Sequence, residues 1–150
     1  MKKYLLLLFV TSFFGDYAIG QMLKSTTECE TILGEPIKVH STTPPARLYL
    51  YNGLHVQISY EEGKAIAAIY RIPSPTGNSL ISESKINDIF SINGFSQDDL
   101  IDMDSQLPYE LRGLYKSTRD KKIIVLNDPK ENVIVMYELK TLLDKIKNNN

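Results

Sequence analysis

The side chains able to do chemistry are few: one cysteine, two histidines and one acidic cluster. Cys29 lies between Glu28 and Glu30, whose charges disfavour a thiolate, and it shares a helical face with Ile32 and Leu33. That spacing describes a buried, inert thiol rather than a nucleophile. With no second cysteine, the chain forms no internal disulfide, so its stability comes from core burial. His40 and His55 stand near strand ends, no Gly-x-Ser-x-Gly turn accompanies them, and they are expected as surface polar residues, not catalytic bases.

Asp98, Asp99, Asp102 and Asp104 are the one acidic cluster. A calcium loop beginning at Asp102 needs Gly at its sixth position, where Leu107 stands, and also lacks its twelfth-position Glu. These carboxylates are expected to be solvated charges and helix N-terminal partners. No zinc-ligand spacing and no phosphate-cradling glycine loop occur, so no metal, cofactor or catalytic residue is assigned. The formal net charge is −1, and Lys and Arg are scattered along the chain apart from Lys121-Lys122. A nucleic-acid partner, which requires a basic footprint, is not expected.

The elements that would position these residues begin after a leader. Lys2 and Lys3 precede an apolar run from Tyr4 to Phe14, then Gly15-Asp16, then Ala18-Ile19-Gly20. Small residues at Ala18 and Gly20 predict signal peptidase cleavage before Gln21, hence residues 1–20 as a signal peptide. The run falls short of the ~20 residues that span a bilayer, and no cysteine stands at the cut to take a lipid. The expectation is a secreted or periplasmic chain with no stable membrane anchor once cleaved.

Ser25-Thr26-Thr27-Glu28 has capping-box spacing and opens a short helix, which Gly34 ends in a left-handed cap and Pro36 forbids from continuing. From Leu48 to Tyr70 the apolar alternation predicts three antiparallel strands. Asn52-Gly53 as a type I′ turn pairs Tyr51 with Leu54 and Tyr49 with Val56, and a three-residue loop at Glu61-Glu62-Gly63 pairs Tyr60 with Lys64 and Ile58 with Ile66. One face then holds Tyr49, Tyr51, Leu54, Val56, Ile58, Tyr60, Ile66, Ala68 and Tyr70 as core. The other holds Leu48, Leu50, His55, Gln57, Ser59, Ala65, Ala67, Ile69 and Arg71, too apolar for an open surface and too polar for a dry core.

Residues 73–81 have the composition of a linker. Ser82 or Ser84 caps a second helix carrying Ile86, Ile89 and Phe90 and ending at Asn93-Gly94, and Ser96 to Asp99 opens a brief third helix through Leu100 and Ile101. Strands at Leu114–Ser117, Lys122–Leu126 and Val133–Tyr137 form a second meander. The closing helix carries Leu139, Leu142, Leu143 and Ile146 on one stripe. The fold class expected is α+β: a three-stranded antiparallel meander preceded by a short helix, duplicated as residues 21–72 and 82–150, with a C-terminal amphipathic helix. Tyr137 takes the place of Tyr70 in the second copy.

The run from Ser25 to Pro36, ending Leu33-Gly34-Glu35-Pro36, followed by the aromatic strand at Tyr49 and Tyr51, resembles the SmpA/OmlA outer-membrane assembly lipoproteins. Duplicated, the pattern resembles the tandem repeat of the beta-lactamase inhibitor proteins. Both resemblances imply the fold; the lipobox of the first and the paired cysteines of the second are missing here.

Two functions follow from these residues. The favoured one is a non-catalytic protein-interaction module for an unknown partner, using Leu48, Leu50, His55 and Gln57. The alternative is a small hydrolase or ligand-binding protein with a site between the halves, where the 41–45 loop would meet residues 72–79.

Overall fold

The computed structural model describes residues 21–103, 107–109 and 113–149. The expected cleavage-site residues Ala18 and Gly20 lie outside them; Gln21 lies inside. The protein is α+β, with the strands in one antiparallel sheet. In chain order come α1 (Thr26–Leu33), β1 (Lys38–His40), β2 (Ala46–Tyr51), β3 (Leu54–Glu61), β4 (Lys64–Ser74) and β5 (Gly77–Ser79). Then follow α2 (Glu83–Ile92), a 3-10 turn (Gln97–Asp99), β6 (Leu100–Asp102), β7 (Tyr115–Thr118), β8 (Ile123–Asp128), β9 (Val133–Glu138) and α3 (Leu139–Asn148).

The sheet runs β1-β2-β3-β4-β9-β8-β7-β6, with β5 paired to β4. The two meanders therefore join through their last strands, β4 against β9, in the register Ala68 to Met136 and Tyr70 to Ile134. This pairing removes an open edge from each. It also places Tyr70 and Tyr137 on opposite faces, because Tyr137 lies opposite Ala67, one residue out of phase with Tyr70. The two tyrosines thus do not hold equivalent positions in space.

Local chemistry explains most boundaries. Ser25 and Glu28 form the expected capping box on α1, and hydrogen bonds from Ser25 hold the Glu28 carboxyl below its usual range. Ser82 caps α2 through the Lys85 amide. Gly34 has φ +84° but ψ −171°, so the cap is not left-handed; this is a region essentially restricted to glycine. Asn52-Gly53 turns with both residues at positive φ, which gives the expected pairs Tyr51 to Leu54 and Tyr49 to Val56.

Four segments differ from the sequence reading. The β3–β4 turn has two residues, Glu62-Gly63, with Glu61 opposite Lys64, and a bulge between Ser59 and Tyr60 absorbs the difference. Ile58 consequently faces Ala68, and Ala65 faces Tyr60 in the core. Residues 73–81 are no free linker: β4 continues to Ser74 and folds back as β5, with Asn78 donating to the Glu131 carbonyl of the second meander. Asp99 caps its own Ser96 amide as expected, yet Leu100 and Ile101 form edge strand β6 because their backbone pairs with Thr118 and Ser117. Finally, the lead-in at 21–24 belongs to the fold: Leu23 donates to Ala65, and Ala65 donates to Lys24.

Both early helices pack on one face of the sheet. Cys29 and Leu33 from α1 and Ile89 and Phe90 from α2 join Tyr49, Val56, Ile58, Tyr70, Ile134 and Met136 in one core. α3 packs on the other face, and only over the second half: Leu142 with Ile124, flanked by Tyr115, Tyr137, Leu143 and Ile146.

Candidate functional site

The asymmetry of cover defines the candidate surface. On the face carrying α3, the first meander has no helix above it. There the register sets Leu48, Gln57 and Ile69 side by side across β2, β3 and β4, and the next row sets Leu50, His55 and Arg71 together. The Ile69 row continues to Val135 on β9, which is buried. The four candidate binding residues are thus brought onto one face, together with Ile69 and Arg71, which the alternation also placed there. Leu50 is 54% exposed, and Leu48, His55 and Gln57 are half-buried. The side chains of His55, Gln57 and Arg71 make no hydrogen bond or ion pair with another described residue.

This face is open to recognition and poor in means of catalysis. Cys29 is a buried residue of α1 on the helical side of the sheet, whereas His40 and His55 project from the opposite side, so thiol and imidazole cannot act on one substrate. Burial pushes the Cys29 thiol up, and its Sγ donates to the Gln21 carbonyl at 3.4 Å. Among the described residues, no three His, Cys, Asp or Glu side chains are grouped to hold a metal ion.

The core beneath contains a polar network that the sequence did not show. The Tyr49 and Tyr60 hydroxyls are 2.8 Å apart, and burial pushes both phenols up, so they stay protonated. Further along, the Tyr70 hydroxyl donates to Gln21 Oε1 and accepts from Asn93 Nδ2 at 2.9 Å. Asn93 Nδ2 also donates to the Ile89 carbonyl at 2.7 Å, tying the end of α2 to β4. Gln21 Nε2 and Asn93 Oδ1 remain buried without partners. Tyrosine alternation gave the faces but not the hydroxyl partners, which come from a segment before α1 and from the last residue of the α2 region.

The cleft expected between the 41–45 loop and residues 72–79 does not form, because those segments lie at opposite ends of the first meander. The Tyr60 amide, near the end of β3 and opposite Ala65 near the start of β4, donates to the Pro45 carbonyl, whereas residues 72–79 extend the far end of β4 into its hairpin with β5. A different cleft of about 630 Å³ does separate the halves, between Met22 to Glu28 on one side and Asn93, Phe95 and Thr118 to Ile123 on the other. Within it Lys24 pairs with Glu28 and Arg119 with Asp99, each at 3.5 Å, and Asp120 accepts the Thr118 hydroxyl at 2.6 Å.

No family model matches the chain, and no curated protein does. Solved structures similar to it include two extracellular or secretory proteins. A cysteine-rich secretory protein from Staphylococcus aureus subsp. aureus Mu50 is 11% identical with a TM-score of 0.46, over 81% of this chain and 46% of that one. An extracellular protein containing a SCP domain from Bacillus anthracis str. Ames is 14% identical with a TM-score of 0.44, over 86% of this chain and 49% of that one. The chain thus spans about half the length of each.

Proposed function

We propose that the chain is an exported, non-catalytic protein-binding module whose docking surface is the uncovered half of the sheet, through Leu48, Leu50, His55, Gln57, Ile69 and Arg71. The observation that carries this reading is the one-sided cover: α3 closes the face over β8 and β9 and leaves the same face of β2 to β4 open. Apolar side chains flanked by polar groups with free hydrogen-bonding capacity suit a partner that is bound and released. Gln57 and His55 supply donors and acceptors along the middle strand, with Leu48 and Ile69 on either side of Gln57 and Leu50 and Arg71 on either side of His55. The leader-like N-terminus supports export, since its charged start, apolar run and small residues match a secretory signal.

Leu50→Asp tests the reading. Because Leu50 is already more than half exposed, the substitution should cost less than about 1 kcal/mol of stability and leave the fold intact by circular dichroism. The immobilised wild-type protein should retain a discrete partner from cell-envelope or culture extract that the variant loses at least tenfold. Equal retention by both, or retention by neither, would remove this surface from the account.

A further inference from the structure

The lysines scattered along the sequence are not scattered in space. Beside the start of α3 runs a groove of about 650 Å³, a size within the ~300–1,000 Å³ of small-molecule sites. Its apolar part comes from Leu23, Leu139 and Leu143, all half-buried. Lysines reach it from three separate segments: Lys64 at the start of β4, Lys121 and Lys122 in the β7–β8 turn, and Lys140 and Lys147 on α3. Glu138 and Asp144 are the acids along it, and the Glu138 carboxylate already accepts the Thr141 hydroxyl at 3.0 Å. Lys64, Lys140 and Lys147 form no ion pair with a described residue, while Lys122 lies close enough to Asp120 to help hold that carboxyl below its usual range.

Among the described residues that line it, five lysines stand against two acids, a locally positive groove on a chain whose formal net charge is −1. Mutual repulsion among Lys64, Lys140 and Lys147 opposes folding, and an anion placed beside them would relieve it. A second observation concerns Leu23. Its φ is +65°, a left-handed conformation that costs a leucine about 1–2 kcal/mol, held by its amide's hydrogen bond to Ala65. That strained backbone places an apolar residue, half exposed, at the groove.

We propose that this groove binds a single-chain lipid with an anionic head, its alkyl chain along Leu23, Leu139 and Leu143 and its head among Lys64, Lys122 and Lys140. Charge complementarity selects the head, and the leucines between the lysine stems select the chain. An inorganic anion would leave the leucines in water, and a neutral amphiphile would leave the lysines unmatched. This surface is separate from the sheet face proposed above to bind protein.

The test is titration of the full chain with dodecanoate below its micelle concentration, followed by calorimetry and amide chemical shifts. Dodecyl maltoside serves as the neutral control and anionic phospholipid vesicles as the membrane control. One-to-one saturable binding is expected, with shifts centred on residues 139–143 and at least tenfold preference over the maltoside. The double variant Lys122→Glu/Lys140→Glu, both exposed positions, should weaken it at least tenfold without changing the circular dichroism spectrum. Leu143→Gln should weaken both the anionic and the neutral ligand. Absence of saturation, equal binding of the neutral control, or indifference to charge reversal would each overturn the proposal. Binding to vesicles without binding to monomeric dodecanoate would overturn it too, by assigning the lysines to a membrane surface.

Discussion

Ile134→Asp is expected to abolish cooperative folding of the whole chain, not of its second half alone. Ile134 is fully buried, lies opposite Tyr70 in the β4–β9 register, and belongs to the core that both α1 and α2 cover. Loss of the isoleucine side chain alone costs about 2–5 kcal/mol. An unpaired carboxylate in that position adds several kcal/mol more, reduced only as far as protonation allows. The sum rivals the ~5–15 kcal/mol by which domains of this kind are stable. Because the core is shared across the junction, near-ultraviolet signals from tyrosines of the first meander should disappear together with backbone signals from the second. A variant in which the first meander keeps a sharp transition would show that the halves fold independently.

The next largest effect is expected from a single oxygen. Tyr70→Phe removes the hydroxyl that donates to Gln21 and accepts from Asn93, in a place where Gln21 Nε2 and Asn93 Oδ1 already lack partners. The variant leaves Gln21 buried with both ends of its amide unpaired, while Asn93 keeps its bond to Ile89. A newly orphaned buried acceptor costs about 1–3 kcal/mol. The diagnostic is the double variant Tyr70→Phe/Gln21→Leu. Removing both partners for apolar groups of similar shape should restore most of the loss, so the two substitutions should couple favourably in a denaturant cycle. Additive losses would mean that the hydroxyl contributes independently of Gln21.

Much of this architecture was legible because strand periodicity and turn chemistry agree. Asn52-Gly53 fixed which of Tyr49 and Leu50 faces the core, and positive φ at both turn residues gave the pairing that follows from it. At the next turn, the expected three-residue loop differs from the observed two-residue turn and bulge. The register moved by two residues, so the alternation survived: Ala68 and Tyr70 stayed on the core face, while the bulge brought Ala65 inward. Had the shift been one residue, the faces would have exchanged. This parity is why Leu48, Leu50, His55 and Gln57 were recognisable together on one side.

What stayed hidden depends on contacts between distant segments. Pro73 and the glycine of Gly77-Asn78-Ser79 have linker composition, and only pairing with the end of β4 makes them a hairpin. Nothing local to Leu100 and Ile101 distinguishes the end of a short helix from an edge strand; the backbone of β7 decides it. Gln21 shows no pattern at all, since one polar residue before a helix has no periodicity. Its burial follows from the bridge between the lead-in and β4. The lysine groove was invisible for the same reason, because its charges come from β4, the β7–β8 turn and α3.

The proposal that the open half-face is the working surface meets its most direct test in site-specific photo-crosslinking in the cells that produce the protein. A photoreactive side chain would be placed in turn at Leu50, at Gln57 and, as a control on the helical side, at exposed Glu83. The account predicts the same discrete protein adduct from positions 50 and 57, none from 83, and its loss when Arg71→Glu is added. An adduct from 83 with none from 50 or 57 would contradict it and move the partner to the helical side of the sheet.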